Sequence, residues 1–349
     1  QHRLTAQLIK DLPFALTNAQ QKVYAEISRD LAQPHPMQRL LLGDVGSGKT
    51  VIAALAALQA IENGYQAAFM APTEILAEQH YLKLRDWFAP LGISPVWLSG
   101  SLKKKEKQLA AERIACGETL LAIGTHALFQ EQVSFHRLGL AIVDEQHKFG
   151  VQQRLALRNK GKTAKPVRPD PSTSLRTKGL VEGHGFTARA VRQAHHERPD
   201  EPSHEPHQLM MSATPIPRTL AMSYYADLDV SVIDELPPGR MPVVTKLASD
   251  TRRDEVFARV RAACMEGQQA YWVCPLIDES EALQLQTAIE THEALRAAFP
   301  ELNVGLVHGK LDNAEKARVM AAFKAGELQL LVATTVIEVG VDVPNASLM

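Results

Sequence analysis

The sequence has little of several features that mark whole classes of protein. Three cysteines in 349 residues, with no CxxC pair, exclude a disulfide framework or zinc ribbon and favour a reducing cytoplasm. No apolar run reaches the ~20 residues that a membrane-spanning helix needs. The 38 Lys and Arg against 39 Asp and Glu exclude a uniformly basic coat for nucleic acid, but not a local cationic track. Aromatic residues make up only 5%, so the cores must be built mainly from Ala, Leu, Val and Ile.

Short aliphatic runs alternate with longer helical patterns, which is typical of βαβ units and parallel sheets. In the first half the patterns predict strands at 39–42, 66–70, 95–98, 119–123 and 138–143, and helices at 49–62, 74–88 and 103–114. In the second half they predict strands at 270–273, 304–307 and 328–333, and helices at 252–265, 282–299 and 313–323. We therefore predict two α/β domains, residues 1–235 and 236–349, joined near Pro237-Pro238-Gly239.

Residues 161–207 interrupt this alternation. They hold six of the 20 prolines and five of the 13 histidines and show almost no apolar periodicity. Such a stretch buries too little apolar surface to offset its ordering entropy, so we predict a disordered surface insert. Its histidines could suggest metal ligation, but no cysteine or ordered helical spacing supports that alternative.

A phosphate-binding loop is predicted directly after the first strand. Residues 43–50 read GDVGSGKT, which matches GxxxxGK[ST] between an apolar run and an alanine-rich helix. Small residues let backbone N–H groups wrap phosphates, and the helix N-terminus adds positive potential. Lys49 is expected to reach the β- and γ-phosphates, and the Thr50 hydroxyl to bind Mg²⁺. The predicted nucleotide-binding residues here are Gly43, Asp44, Val45, Gly46, Ser47, Gly48, Lys49 and Thr50.

A second apolar strand ends in the acidic segment Asp144-Glu145-Gln146-His147. A general base for hydrolysis must lie at the carboxyl end of a strand near the P-loop strand. We expect Asp144 to hold Mg²⁺, and Glu145 to orient and deprotonate the attacking water. An acidic pair after a strand is a weak signal alone, but it becomes a strong one after a P-loop.

Together these motifs resemble those of the superfamily 2 helicases. The set also includes SATPIPRT at 212–219 and ATTVIEVGVDVP at 333–344. Within the superfamily, the segment DEQHKFGVQQR at 144–154 is similar to the corresponding segment of the branched-DNA helicases. The transcription–repair coupling translocases usually have DEEH where this chain has DEQH at 144–147. The resemblance covers nearly all of the chain outside the insert. It implies tandem RecA-like P-loop domains whose parallel sheets are flanked by helices, the second domain being truncated.

The resemblance also implies roles for individual residues. The catalytic set would be Lys49, Asp144, Glu145, Gln146 and His147, and Gly340 and Asp342 would face the nucleotide. Nucleic acid would be contacted by Thr73, Thr125, His126, Arg218, Lys310, Thr334 and Thr335. Gln20 lies in a segment similar to the family's adenine-reading motif; it also completes a capping box with Thr17, and both readings can hold.

Some of these residues have an equally good local explanation. Capping and turn chemistry accounts for Thr73 and for the Thr125-His126 pair as well as DNA contact does. The basic cluster at 103–107 is better explained as a solvated helix face than as a phosphate contact, because the helix also carries Glu106 and Glu112.

The implied function is an ATP- and Mg²⁺-dependent helicase or translocase core that remodels branched DNA, such as stalled forks and recombination junctions. A monomer in the bacterial cytoplasm near the nucleoid is expected, with partners among replication or repair proteins and none in membranes. Alternatives are a double-stranded DNA translocase of transcription-coupled repair, a P-loop ATPase acting on other substrates, and a silent nucleotide-binding module.

The chain begins at Gln1 and ends at Met349, shortly after the motif at 333–344. We therefore expect a piece of a larger protein. The family's next motif supplies an arginine finger, which contributes ~10³–10⁵ in rate in related NTPases. Without it, the 349-residue chain is expected to bind Mg·ATP but to hydrolyse it weakly.

Overall fold

A computed structural model describes residues 3–130, 132–145, 205–214, 228–235, 243–274, 281–334, 343 and 345–349. The chain divides into two compact units: residues 1–43, 48–72 and 80–235 form the first, and residues 44–47 and 73–79 group with 236–349 in the second. Each unit contains a parallel β-sheet flanked by helices, as the alternation of strands and helices predicts. Among the described residues, no helix is long and apolar enough to cross a membrane.

The first unit follows the predicted order of elements closely. Its strands are β1 (Gln38–Gly43), β2 (Gln66–Met70), β3 (Val96–Leu98), β4 (Leu121–Gly124), β5 (Leu138–Val143), β6 (His207–Ser212) and β7 (Asp229–Ile233). Its helices are α1 (Arg3–Asp11), α2 (Asn18–Leu31), α3 (Lys49–Glu62), α4 (Glu74–Phe88) and α5 (Lys104–Ala115), with 3₁₀ turns at Ala89–Leu91 and His126–Phe129. The predicted helices at 49–62 and 74–88 are confirmed to the residue.

The seven strands of this sheet lie in the order β3-β4-β2-β5-β6-β1-β7, and every neighbouring pair is parallel. The register pairs Leu41 with Met211 between β1 and β6, and Ile142 with Leu209 between β5 and β6. Because all strands run the same way, their carboxyl ends meet at one edge of the sheet. The connections after β1, β2, β4, β5 and β6 therefore start along that edge.

Both faces of the sheet are buried, and alternate residues of each strand enter opposite cores. On β2, Phe69 packs in the core that contains α3, and Met70 packs in the core on the other face. Helix α3 is buried over almost its whole length, because α1 and α2 cover its outer side with residues such as Leu8 and Ile27. The alanine-rich sequence of α3 suits this position between two layers.

A buried arginine ties α2 to the sheet. Arg39 on β1 is only 8% exposed; its Nε and Nη2 lie 2.7 and 2.6 Å from Asp30 Oδ2 on α2. Its Nη1 donates to Ser231 Oγ on β7 at 2.8 Å, and the same hydroxyl donates to Glu26 on α2. Removing one partner of such a buried pair leaves an uncompensated charge, so this cluster fixes the position of α2 against β1 and β7.

The second unit repeats the pattern on a smaller scale. It contains α6 (Arg253–Met265), β8 (Gln269–Val273), α7 (Glu281–Ala298), β9 (Val304–Val307), α8 (Asn313–Lys324), β10 (Leu330–Ala333) and β11 (Ala346–Leu348). Its strands lie in the order β11-β8-β10-β9, again all parallel. The predicted strands and helices of this half are confirmed to within about two residues, whereas β11 was not predicted; in the first unit, α1 and β7 were not predicted either.

The predicted end of the insert at residue 207 is wrong, because that residue lies in a strand. His207 opens β6, where pairing with β1 begins, and its Nδ1 accepts a hydrogen bond from the Met37 backbone N–H at 2.9 Å. That strand pairing gives the residue a fixed place in the sheet. Residues 161–204 and the predicted linker at Pro237-Pro238-Gly239 lie outside the described residues.

The burial of His207 makes stability depend on pH. Burial, and then the neighbouring His35, lower the pKa of His207 below its ordinary value of 6.5. Protonation therefore occurs first in the unfolded chain as the pH falls through that value, which lowers the free energy of unfolding until the folded pKa is passed. We expect chemical denaturation to show a larger loss between pH 7.5 and 5.5 for the wild type than for His207→Asn, whose amide oxygen accepts without titrating. Equal losses would contradict this assignment.

Candidate functional site

The carboxyl edge of the first sheet brings the predicted motifs into one row. In sheet order, the strand ends of β4, β2, β5, β6 and β1 lead into Thr125, Thr73, Asp144, the Ser212–Thr214 turn and the P-loop. The predicted nucleic-acid residues thus follow β4 and β2, and the predicted phosphate loop follows β1. The acidic pair follows β5, between the two groups.

The P-loop is a tight turn between β1 and α3. Gly46 and Gly48 have φ of 77° and 96°, a backbone conformation that favours glycine. The turn is closed by the Ser47 N–H, which donates to the Asp44 carbonyl at 3.0 Å. The side chains of Asp44 and Val45 are exposed. The loop leads directly into the N-terminus of the 14-residue helix α3, where backbone N–H groups and the helix dipole favour an anion.

Lys49 and Thr50 lie in the first turn of α3. The Lys49 ammonium donates to the Gly43 carbonyl at 2.5 Å, so its charge lies over the loop. Thr50 is half-buried beside it. A cation, a hydroxyl and a helix N-terminus together form a site suited to a phosphate chain.

Gln20 contacts both its own helix start and the P-loop. Its Oε1 accepts from the Thr17 N–H at 3.0 Å, and its N–H donates to Thr17 Oγ1 at 3.2 Å, which completes the predicted capping box. A Cβ built on Gly48 would lie 2.3 Å from Gln20 Nε2. The capping explanation is therefore confirmed, and the same side chain lies against the loop; its contact with adenine stays a prediction.

The acidic pair is buried and held by hydrogen bonds. Asp144 is 6% exposed and Glu145 2%. The Asp144 N–H donates to the Met70 carbonyl at 2.8 Å, which continues the β2–β5 pairing past the strand end. Asp144 Oδ1 accepts from the Glu145 N–H at 3.0 Å, and Glu145 has a left-handed φ of 47°, rare for a residue other than glycine.

His80, which lies against Asp144, was not predicted from the sequence. His80 is on α4, and its Nε2 is 2.7 Å from Asp144 Oδ2. One signal could have found it: His80 falls on the buried stripe that Ala77 and Leu84 define on α4, where a polar side chain requires a partner. Its partner lies 64 residues further along the chain, and no local pattern identifies it.

The other predicted residues of this unit differ in accessibility. Thr125 is only 3% exposed, and its hydroxyl oxygen has no hydrogen-bond partner in the described chain, whereas His126 is exposed. Thr73 Oγ1 accepts from the Leu76 N–H at 3.3 Å and so caps α4. The local explanations therefore apply, with Thr125 at a turn and Thr73 at a helix cap. The contact of these two residues with nucleic acid stays a prediction.

In the second unit, the ends of β9 and β10 carry further predicted residues. Lys310 is exposed, and Thr334 is buried with its N–H 3.3 Å from the Val307 carbonyl. Burial lowers the pKa of His308, and the ammonium of Lys316 lowers it further. Lys310 also lowers this pKa, and Glu315 acts in the opposite direction. Gln146, His147, Arg218, Thr335, Gly340 and Asp342 lie outside the described residues.

The donor set of the site fits Mg²⁺. In the described part of the chain, no group of three or more His, Cys, Asp or Glu side chains could hold a metal ion by itself. Mg²⁺ seldom uses such a cage; it is usually bound by one or two carboxylates together with substrate phosphates and water. The Thr50 hydroxyl and the Asp144 carboxylate, both oxygen donors, meet that requirement.

Comparison with known protein families identifies the fold. The model for DEAD/DEAH box helicases matches residues 17–223, and the model for the helicase conserved C-terminal domain matches residues 255–349. The chain belongs to the DEAD/DEAH box helicase family. The two matches correspond to tandem helicase domains, and the resemblance to superfamily 2 helicases is confirmed.

Comparison with individual helicases shows which members of the family the chain resembles. The ATP-dependent DNA helicase RecG of Escherichia coli (strain K12) is 56% identical over 347 residues, which cover 99% of this chain and 45% of that protein. RecG of Thermotoga maritima is 45% identical over 348 residues, or 39% of its length. The chain thus spans less than half the length of these curated relatives. Their shared name agrees with the motif-based resemblance to the branched-DNA helicases.

Solved helicase structures give the same result. A structure of RecG bound to a three-way DNA junction superimposes with a TM-score of 0.70 at 40% identity, over 99% of this chain and 40% of that one. Dbp5 of S. cerevisiae bound to RNA and ADP BeF3 has a TM-score of 0.63, over 98% of this chain and 76% of that one. At 15% identity, that second likeness shows the fold alone.

Gly48 offers a test of the P-loop geometry. Gly48→Ala places a Cβ at positive φ and displaces Gln20 from the loop, whereas Gly267→Ala has a similar φ of 91° with nothing within 4 Å. Both variants incur the backbone cost of about 1–2 kcal/mol. Because Gly48→Ala also disturbs the Gln20 cap, we expect its free energy of unfolding to fall by roughly 0.5–2 kcal/mol more. Equal losses in chemical denaturation would show that Gln20 moves aside without cost.

Proposed function

We propose that the chain is the ATP-driven motor core of an enzyme that remodels branched DNA, such as stalled forks and recombination junctions. The observation that carries the proposal is the row of motifs at one sheet edge, with the P-loop, the Ser212–Thr214 turn and the acidic pair on consecutive strand ends. The high identity with RecG proteins over 99% of the chain supports branched DNA as the substrate. The solved RecG structure, which contains a three-way DNA junction, supports it further.

The P-loop residues would bind the triphosphate. Backbone N–H groups between Gly43 and Gly48 and the start of α3 favour the negative charge of the phosphates. Lys49, which donates to the loop carbonyl of Gly43, can transfer that hydrogen bond to a phosphate oxygen. Gln20, whose Oε1 caps α2 and whose Nε2 lies beside the loop, would contact the adenine.

Thr50 and Asp144 would hold Mg²⁺, which when bound neutralises charge on the β- and γ-phosphates. Glu145 would orient the attacking water and accept its proton, a role that its burial and fixed backbone favour. Gln146 and His147 would complete this catalytic motif. Gly340 and Asp342 would face the nucleotide from the second domain, residues 236–349, and the first would span 1–235.

DNA would be held along the remaining strand ends of both sheets. Exposed His126 and Lys310 are the described side chains best placed to meet phosphates, and the cap of α4 at Thr73 presents a helix N-terminus. Thr125, Thr334, Thr335 and Arg218 complete the proposed nucleic-acid set. A monomeric state, a location in the cytoplasm near the nucleoid, and partners among replication or repair proteins stay predictions.

DNA-stimulated ATP hydrolysis by the full-length protein tests the proposal. We expect stimulation to be strongest on forked DNA, weaker on unbranched duplex and weakest on single strands. Lys49→Ala removes a charge that stabilises the transferring phosphoryl group, so the stimulated kcat should fall by about 10²–10³-fold. Lys10→Ala, which removes an exposed lysine from α1, is the matched control and should leave kcat unchanged.

The substrate preference separates the competing functions. Equal stimulation by unbranched duplex and forks would favour a double-stranded DNA translocase. An ATPase that no DNA stimulates would contradict a DNA motor altogether. Full activity in Lys49→Ala would contradict the assigned nucleotide site.

A further inference from the structure

We propose that His80 is a positioning residue for the acidic pair: its imidazole holds the Asp144 carboxylate in the orientation that binds Mg²⁺. The inference rests on the proposed function, because it takes Asp144 as a ligand of the metal in an ATPase site. It adds a residue that belongs to none of the predicted motifs and that lies on a different element, α4.

The contact between His80 and Asp144 is short and shielded from water. The two side chains are each 9% exposed, and Nε2 lies 2.7 Å from Oδ2. The imidazole ring also packs on Phe69 of β2, with ring centroids 4.6 Å apart. Phe69 is fully buried, so it limits the positions available to the ring. A buried hydrogen bond to an ionised group contributes more than one in water, and it loses that contribution when the donor is removed.

Two hydrogen bonds together fix the carboxylate. Oδ1 accepts the Glu145 N–H at 3.0 Å, and Oδ2 accepts from His80. An ionised carboxylate has about four lone-pair sites, so each oxygen keeps one for a cation or its water shell. Rotation about the Cβ–Cγ bond would break both hydrogen bonds at once. His80 thus orients the ligand and leaves its metal-binding capacity available, as outer-shell partners of metal ligands generally do.

The same chain of hydrogen bonds reaches the second acid. Because Asp144 Oδ1 binds the backbone N–H of Glu145, a carboxylate that is fixed by His80 also fixes the peptide plane between the two acids. Losing His80 is therefore expected to loosen both acids, although only one of them contacts it.

The competing explanation is that His80 only fills space beside Phe69. Two variants distinguish the explanations. His80→Gln carries an amide nitrogen at the same number of bonds from Cβ as Nε2, and so retains the donor without the ring. His80→Leu retains apolar volume without a donor. If His80 only packs, the Leu variant should bind metal at least as well as the Gln variant does. If His80 positions Asp144, only the Gln variant should retain the metal affinity.

The affinity for Mn²⁺, measured by electron paramagnetic resonance on the full chain with ADP, is the readout. We expect His80→Leu to weaken Mn²⁺ binding by about 10–100-fold, and His80→Gln to recover most of that loss. ADP affinity without metal should change little in either variant. His292→Leu is the control; it removes one hydrogen bond, from Nε2 to the Val304 carbonyl at 3.1 Å, in the other unit and should leave Mn²⁺ affinity unchanged.

Wild-type Mn²⁺ affinity in His80→Leu, or equal losses in the Gln and Leu variants, would overturn the inference. A parallel fall in metal-free ADP affinity would also overturn it, because that result indicates general damage to the site. If the Leu variant does not fold, His80→Asn, whose amide ends one bond short of Nε2, takes its place with the same expected loss. A wild-type chain that binds ADP without Mn²⁺ would instead refute the proposed function, which separates the two failures.

Discussion

The parallel pairing of β5, β6 and β1 is the constraint on which the candidate site depends. These strands are neighbours in space although long stretches of chain separate them in sequence. Since they run in the same direction, the P-loop, the Ser212–Thr214 turn and the acidic pair leave the sheet at the same edge. An antiparallel β6 would send one of these motifs to the opposite edge. The direction of the strands therefore decides that the three motifs lie at the same edge, whatever their side chains are.

Two helices each place a polar side chain against a motif at this edge of the sheet, and they are held there in different ways. Helix α2 is fixed by the buried Arg39 and its partners on β1 and β7, and its first turn places Gln20 against Gly48. Helix α4 begins next to Thr73 after β2 and places His80 against Asp144 about two turns later. In each case a helix that follows or covers the sheet supplies a polar side chain to a motif that it does not contain in sequence. The site thus consists of the motif residues and of supporting residues on other elements, here Gln20 and His80.

The sequence predicts the elements far better than it predicts these supports. Helix α3 and the P-loop were predictable because the glycines, the lysine and the apolar run all lie within 20 residues of one another. The capping box at Thr17 was predictable for the same reason, since its two partners are three residues apart. His80 and Asp144 are 64 residues apart, and β7 and β11 are short strands without a strong apolar run. For a contact that depends on the fold, the sequence shows at most a polar residue at a position that the helical pattern predicts to be buried.

The backbone at Glu145 bears on the proposal that two adjacent acids act in one site. In a continuing strand, consecutive side chains point to opposite faces of the sheet, which would separate the two carboxylates. A left-handed residue ends that alternation immediately after β5, at a cost of about 1–3 kcal/mol. The hydrogen bond from the Glu145 N–H to Asp144 Oδ1 fixes the peptide plane between the two residues, from which the left-handed Glu145 continues. The carboxylate that we propose as a Mg²⁺ ligand therefore also fixes the peptide that leads into its neighbour, so one local structure carries both the proposed metal ligand and the proposed general base.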